Sequence, residues 1–387
     1  PASLPPGGRA EIAMSFETAV PLESTGSYGI FHRDANHATW VLADWHPVLA
    51  VYDPGIGWNL TPPNQLGDPT YAASAMFDVR IDTPASWAAV ASGIRTGSRE
   101  TAPGRAESRF TAGPAREFTL ALDDDWIATS VVRGGVTITA WTEPDVTPLA
   151  NAQLAADSAA NALTAFNRHL EPYPYRELDL VDVPLDGALA VSWSGMIFLD
   201  GDAMLTGYAV TNPDSFDAVL AHEVAHLWWG ATVGSDSNAH PFMNEGLATV
   251  SSVSALRWMH HPGAAAALER WVLDPAGRVL AGNDAVVDLP ADAPGDANLR
   301  SDATYGKAAL GFLAIRAEIG DDAFWSALDT ITRERQFGIM TPDDLRRAFE
   351  TASGKDLGGL WQRWFDSTLL SAAEIAAVAA SMDDPDQ

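Results

Sequence analysis

Ala221-His222-Glu223-Val224-Ala225-His226-Leu227-Trp228-Trp229-Gly230 is the stretch on which the reading of this chain turns. It holds H-E-x-x-H, a zinc-binding pattern with a mechanical basis. Residues four apart on a helix share a face, so His222 and His226 can offer imidazole nitrogens to one metal ion. Glu223 lies one position round, within reach of a water beside that metal. The spacing predicts a helix: Phe216, Val219, Leu220, Val224 and Leu227 recur at helical period as an apolar stripe. Asp214 or Ser215, just after Pro213, is the expected N-cap. The other side, Ala218, His222, Ala225 and His226, is small or metal-binding. The plain alternative is a pair of ordinary core or surface histidines.

Two histidines leave a zinc site one protein ligand short. After eighteen intervening residues comes Glu245, within Pro241-Phe242-Met243-Asn244-Glu245-Gly246-Leu247-Ala248-Thr249. Met243 to His261 reads as a second helix. On it Glu245, Ala248, Thr249 and Ser252 share a face of small side chains, which would let the two helices approach. A histidine six residues beyond His226 would mark a different class of zinc site, but that position is Thr232. The expectation is one Zn2+ per chain, held by His222, His226 and Glu245 with an open position for water.

H-E-x-x-H followed by N-E-G-L-A-T resembles the gluzincin zinc aminopeptidases, the family of aminopeptidase N. Tyr305-Gly306-Lys307-Ala308 resembles the family's Tyr-x-Lys-Gly, and Asp343 to Trp364 resembles the end of its thermolysin-like domain. Trp45 to Asp53 and Gly67-Asp68-Pro69 resemble the N-terminal sandwich of bacterial members. The likeness runs from Tyr28 to Leu370. It implies an α+β chain, with a β-sandwich-like domain over residues 1–145 and a thermolysin-like zinc peptidase domain over 146–387, mainly helical after the zinc motif. It also implies a metallopeptidase that hydrolyses peptide bonds through a zinc-activated water. Glu223 would then be general base and afterwards general acid, and Tyr305 would stabilise the oxyanion. No later stretch resembles the helical repeat domain that many members carry.

One family residue is not found. Family aminopeptidases carry Gly-x-Met-Glu-Asn on the strand before the zinc helix, and its glutamate binds the substrate's free amino group. The strand expected here, Ala188 to Leu199, contains Val191-Ser192-Trp193-Ser194-Gly195-Met196-Ile197-Phe198. One alignment puts Ile197 at the glutamate position and the other puts Ser192 there; neither is acidic. Weak discrimination between free and blocked N-termini is therefore expected. Glu245 is the one acidic group placed nearby, and a carboxylate such as Asp284, Asp288 or Asp292, in the loop expected over 275–298, could also substitute. The strand backbone could still bind a peptide by β-addition. Three readings stand: an aminopeptidase-like zinc peptidase, a zinc hydrolase or endopeptidase with a different substrate, and a catalytically idle binding relative. Retention of His222, Glu223, His226, Glu245 and Tyr305 argues against the last.

Composition narrows the partners. The 387 residues suffice for two domains with substantial cores. Net charge is −28, and the only lysines are Lys307 and Lys355. Nucleic acid and anionic membrane both need basic patches, so a peptide substrate is the expected partner, with no nucleic acid. The absence of cysteine excludes disulfides and thiol chemistry. No apolar run reaches the ~18 residues of a membrane helix, so no membrane insertion is expected. The first residue is Pro1, and a removed signal peptide would fit; an extracellular or cell-envelope location is expected in preference to a cytoplasmic one. Oligomeric state is left open.

Elsewhere, strands are expected at Ala10–Phe16, Ala75–Ile81, Glu117–Leu122 and Ala128–Trp141, the last folded around Gly134-Gly135. Pro5 to Pro21 resembles the middle of the family sandwich, so an incomplete sandwich with a bare sheet edge is expected. A helix over Asn151–Leu170 and a strand over Leu178–Val183 precede the zinc motif. Helices are expected at Ala264–Leu273, Thr304–Ile319, Asp322–Arg335, Leu357–Leu369 and Ala372–Met382. Another is capped by Thr341, with Pro342 in its first turn.

Overall fold

The computed structural model describes residues 4 to 382, apart from residues 6, 25–26, 35–37, 54 and 63–70. Gly67-Asp68-Pro69 lies outside the described residues.

The first part of the chain is β-rich. Strands β1 (Phe31–Arg33), β2 (Trp40–Leu42), β9 (Leu120–Asp123) and β6 (Ala88–Ala91) form one sheet in the order β1-β2-β9-β6. Strands β5 (Ala75–Pro84), β8 (Arg105–Ala115) and β7 (Ile94–Ala102) form a second, and β3 (Tyr52–Asp53) pairs with β4 (Gly57–Trp58). Phe110, Phe118 and Leu120 are buried between them, packed by Trp45 and Phe77. The β7–β8 hairpin escapes sequence reading because β7 is exposed at every position and so carries no apolar alternation. Ala10–Phe16, expected as a strand, forms none and is exposed: its alternating residues meet no neighbouring strand.

The next sheet belongs with the zinc motif. β10 (Ile127–Arg133) and β11 (Val136–Thr142) make the hairpin expected around Gly134-Gly135. β11 then runs parallel to β12 (Glu177–Val183), and β12 parallel to β14 (Met196–Asp200). A parallel pair needs a crossover, and helix α1 (Leu149–Phe166) supplies it. Its buried alanines, Ala152, Ala155, Ala156, Ala159 and Ala160, let it lie close to the sheet and to the zinc helix. The Ala188–Leu199 strand is in fact a hairpin. β13 (Ala190–Trp193) turns back on β14 at Ser194-Gly195, where Gly195 adopts φ 80°, a conformation open to glycine. β13 is therefore the sheet edge, beside the zinc helix.

The remainder is helical. α2 (Ala209–Thr211) and α3 (Pro213–His226) are followed by α4 (Phe242–Trp258), α5 (Ala264–Leu268), α6 (Asp274–Ala281) and α7 (Ala297–Asp302). Then come α8 (Ala308–Ile319), α9 (Asp321–Glu334), α10 (Pro342–Ser353), α11 (Gly358–Phe365) and α12 (Ala372–Ser381). α3 is capped by Asn212, whose Oδ1 accepts from the Ser215 N–H, not by Asp214 or Ser215; Pro213 takes the first helical position. Thr341 and Asp344 form a reciprocal capping box on α10, as expected. The first turns of the loop expected over 275–298 are helical as α6, with Pro275 at the start, where a missing N–H costs nothing. Among the described residues, no helix is long and apolar enough to cross a membrane.

Candidate active site and metal centre

α3 and α4 pack side by side, and their facing residues converge. His222 Nε2 lies 3.0 Å from His226 Nε2, and Glu245 Oε2 lies 3.2 and 3.3 Å from these two nitrogens. A tetrahedral zinc with bonds of about 2.0–2.1 Å would separate its ligand atoms by about 3.3–3.4 Å. The observed triangle has nearly that size. His226 Nδ1 donates to the Trp229 carbonyl at 3.0 Å, which leaves Nε2 with its lone pair turned to the other two donors. Electrostatics agree. Burial alone would lower His226, but the Glu245 carboxylate carries it to about 10. Burial would raise Glu245, but His226 and His222 hold it well below the usual carboxylate range. The three side chains favour a positive charge between them, and a bound metal would release the His226 proton.

Gly246 shows why α4 can sit here. A Cβ at this position would lie 2.7 Å from the Ala308 Cβ, so the glycine serves the approach of α8 behind α4. Thr249 and Ser252 border the same cleft as the candidate metal ligands, as the small face of α4 implied.

Glu223 is buried beside the ligands. Its Oε2 accepts a 2.6 Å hydrogen bond from Ser192 Oγ on β13. The two positions aligned with the family glutamate fall in different surroundings. Ser192 faces the cleft, whereas Ile197 is wholly buried in the main core on β14. Tyr305 sits on a wide π-type turn, Ala303–Lys307, which leads into α8. Such turns often mark functional positions. Its ring stacks near His222, with centroids 6.0 Å apart. Burial and the Glu245 charge raise the phenol well above its ordinary value, so it remains a donor. Lys307, two residues on, does not reach the site. It is buried in an ion pair with Asp284 at 2.6 Å and also donates to the Ala285 and Ser367 carbonyls.

All five expected residues border one cleft of 950 Å3, together with Ser192, Tyr28 and Glu117. The proposed acidic substitutes do not. Asp284 is taken by Lys307 and Asp288 by His240, and neither they nor Asp292 line the cleft. Tyr28 and Glu117 come from the β-rich part, where no local pattern marks them. Glu117 reads in the sequence only as the start of a strand.

Residues 154–364 match the family described as Peptidase family M1 domain. The chain belongs to peptidase family M1. Among curated relatives, "Aminopeptidase 2" of Candida albicans is 27% identical over 222 residues, covering 55% of this chain and 24% of that protein. "Aminopeptidase M1" of Arabidopsis thaliana is 24% identical over 226 residues, covering 55% and 25%. "Aminopeptidase N" of Streptomyces lividans is 24% identical over 209 residues, covering 50% and 24%. The chain thus spans about a quarter of the length of these relatives. The M1 match takes in α3, α4 and the Tyr305 turn, the elements that carry every candidate metal and catalytic residue.

Proposed function

We propose that this M1-family chain is a zinc metallopeptidase that hydrolyses peptide bonds in an aminopeptidase-like manner. The observation that carries this is the 3.0–3.3 Å triangle of His222, His226 and Glu245, with Glu223 and Tyr305 on the same cleft. A zinc ion held by that triangle would supply Lewis-acid chemistry, acidifying water and polarising a carbonyl. The chain's own groups do the rest. Glu223 takes the proton of the attacking water and returns it to the departing amine. Ser192 fixes the carboxylate that does this. Tyr305 donates its phenol hydrogen to the oxyanion as it forms. β13 is the edge of its sheet, against which an extended peptide can lie.

The Ser192 hydroxyl cannot act as an ionic anchor for a terminal ammonium. One such contact is worth roughly 1.5–3 kcal/mol. Preference for free over blocked N-termini should therefore stay below about a thousandfold. The test of the function is the zinc-loaded protein and its Glu223→Gln variant on a defined peptide mixture read by mass spectrometry. Metal analysis should give one zinc per chain in both proteins. The variant should lose on the order of 10²-fold or more in turnover, since the amide cannot accept the proton. Undiminished turnover in Glu223→Gln would overturn this assignment.

A further inference from the structure

A second cavity, of 840 Å3, shares no lining residue with the cleft, and peptide hydrolysis makes no use of it. It lies against other faces of the same two helices: Asp217 on α3 and Ser254 on α4 stand about half a helical turn round from His222 and Glu245. Four arginines border it, Arg133, Arg168, Arg257 and Arg316, against two acids, Asp217 and Asp321. In a chain of net charge −28 such a surplus of positive charge is exceptional. Arg316 pairs with Asp321 at 2.5 Å, while Arg257 donates to the neutral carbonyl of Met382. Asp217 is occupied by His261 at 2.9 Å and by the Ser158 hydroxyl at 2.5 Å. Arg133 and Arg168 are exposed, and their guanidinium groups have no ion-pair or hydrogen-bond partner among the described residues.

The rest of the wall is aromatic and fixed. Trp258 stacks on His169 with centroids 3.6 Å apart and meets Trp325 edge-on at 4.5 Å. Trp325 borders the cavity and is 5% exposed, yet its buried indole N–H has no acceptor among the described residues. A buried donor without an acceptor is costly, and a ligand oxygen would serve it. Unneutralised guanidinium groups around a concavity focus positive potential and draw in small anions. Their planar forks match phosphate oxygens, often two at a time. The surplus of two charges equals that of a phosphate monoester near neutral pH, about −1.5 to −2; a single carboxylate would meet only half of it. A bare phosphate ion would leave most of the cavity and its indole wall unused. A nucleic-acid chain would meet the negative charge of the rest of the molecule. We propose that this cavity binds a phosphate monoester, with the phosphate held at Arg133 and Arg168 and the organic group against Trp258 and Trp325.

The test is calorimetric titration of the zinc-loaded protein, at constant ionic strength, with phenyl phosphate, inorganic phosphate and succinate. Phenyl phosphate should bind more tightly than inorganic phosphate, and succinate more weakly than either. Arg168→Gln should weaken phenyl phosphate roughly 10- to 100-fold, the scale of one charge-assisted contact. Arg133→Gln should do likewise. Both side chains are exposed, so each variant should fold, which its melting temperature without ligand checks. Arg270→Gln, which removes an exposed arginine beside the other cleft, should leave the affinity as it was. Affinity unchanged in both Arg168→Gln and Arg133→Gln would overturn the proposal and put the phosphate elsewhere, the metal centre included. An equal loss in Arg270→Gln would overturn it too, by reducing the effect to overall charge. So would inorganic phosphate or succinate binding as tightly as phenyl phosphate, or no binding of any of the three. None of these outcomes bears on peptide hydrolysis.

Discussion

At the scale of single residues, the site divides its work between groups held by their neighbours. Tyr305 keeps its proton because burial and the Glu245 charge raise it. Its hydroxyl is thus held as a donor. Tyr305→Phe should depress kcat with little change in KM, since the oxyanion exists only at the transition state. A loss of roughly 10²–10³-fold is the scale for one such donor. A rise in KM alone, from steady-state kinetics on one peptide, would make Tyr305 a ground-state binding residue. His222, Glu223 and His226 were legible in the sequence because a shared metal face needs the four-residue spacing of one helix, and Glu245 because it follows in a second helix with a small-residue face. Glu117 and Tyr28 were not. Each reaches the cleft from a distant strand or turn, and such an approach leaves no local pattern.

At the scale of elements, the positions of the catalytic groups depend on tight turns and close crossings. Gly306, beside Tyr305, is one. A Cβ there would lie 2.4 Å from the Cβ of Pro275 on α6, a rigid ring with no room to yield. Gly306→Ala should push the Tyr305 turn away from the cleft and cost roughly 1–3 kcal/mol of stability, as overpacking does. Turnover should fall with it, measured alongside the urea midpoint. A fully stable and active variant would show that α6 is free to shift.

Strand β12 supplies a second test. Burial raises both of its aspartates, Asp179 and Asp182, to about 7, although Trp141 Nε1–H donates to Asp179 at 2.8 Å. A carboxyl raised above its unfolded value makes the folded state bind more protons. Its stabilising effect is present below the unfolded value near 4 and is lost as pH rises to 7. Asp179→Asn keeps an acceptor for the indole but removes the titration. Relative to the parent, the variant should be more stable at pH 8 than at pH 5 by about 1 kcal/mol or more in urea unfolding. An unchanging difference between the two pH values would mean that Asp179 does not titrate in this window.

These elements also show where sequence reading reached its limit. The alternation of apolar residues over Ala188–Leu199 continues across both arms of a hairpin. The reversal rests on the backbone of Gly195, which leaves the hydrophobic pattern unbroken. The helices, by contrast, declare themselves through caps and period, as Thr341 and α10 do.

At the scale of the whole molecule, the β-rich part and the rest of the chain are joined by both apolar and polar contact. Apolar contact joins them where Ile30, Val41, Val90 and Trp126 meet Val181, Val183, Trp193 and Phe198 in one core. Polar contact joins them at Arg116, which is buried and donates to the Ala72 carbonyl at 2.8 Å and to the Gly230 carbonyl at 2.7 Å, as well as to Gly338. These carbonyls come from a loop of the first part, the turn after the zinc helix, and the approach to α10. The planar fork of a guanidinium can meet several at once; an ammonium on a flexible stem cannot. Gly234 makes room for it, since a Cβ there would fall 2.3 Å from the guanidinium carbon. Arg116→Lys should leave buried carbonyls unsatisfied and cost more than about 2 kcal/mol of stability. The candidate metal ligands all lie on α3 and α4, so zinc content should hold at temperatures where the variant is folded. Glu117, the next residue, should lose its fixed place against the Ser194 N–H, and turnover on one defined peptide should fall with stability. A variant as stable and as active as its parent would mean that the apolar core alone sets how the first part of the chain meets the cleft.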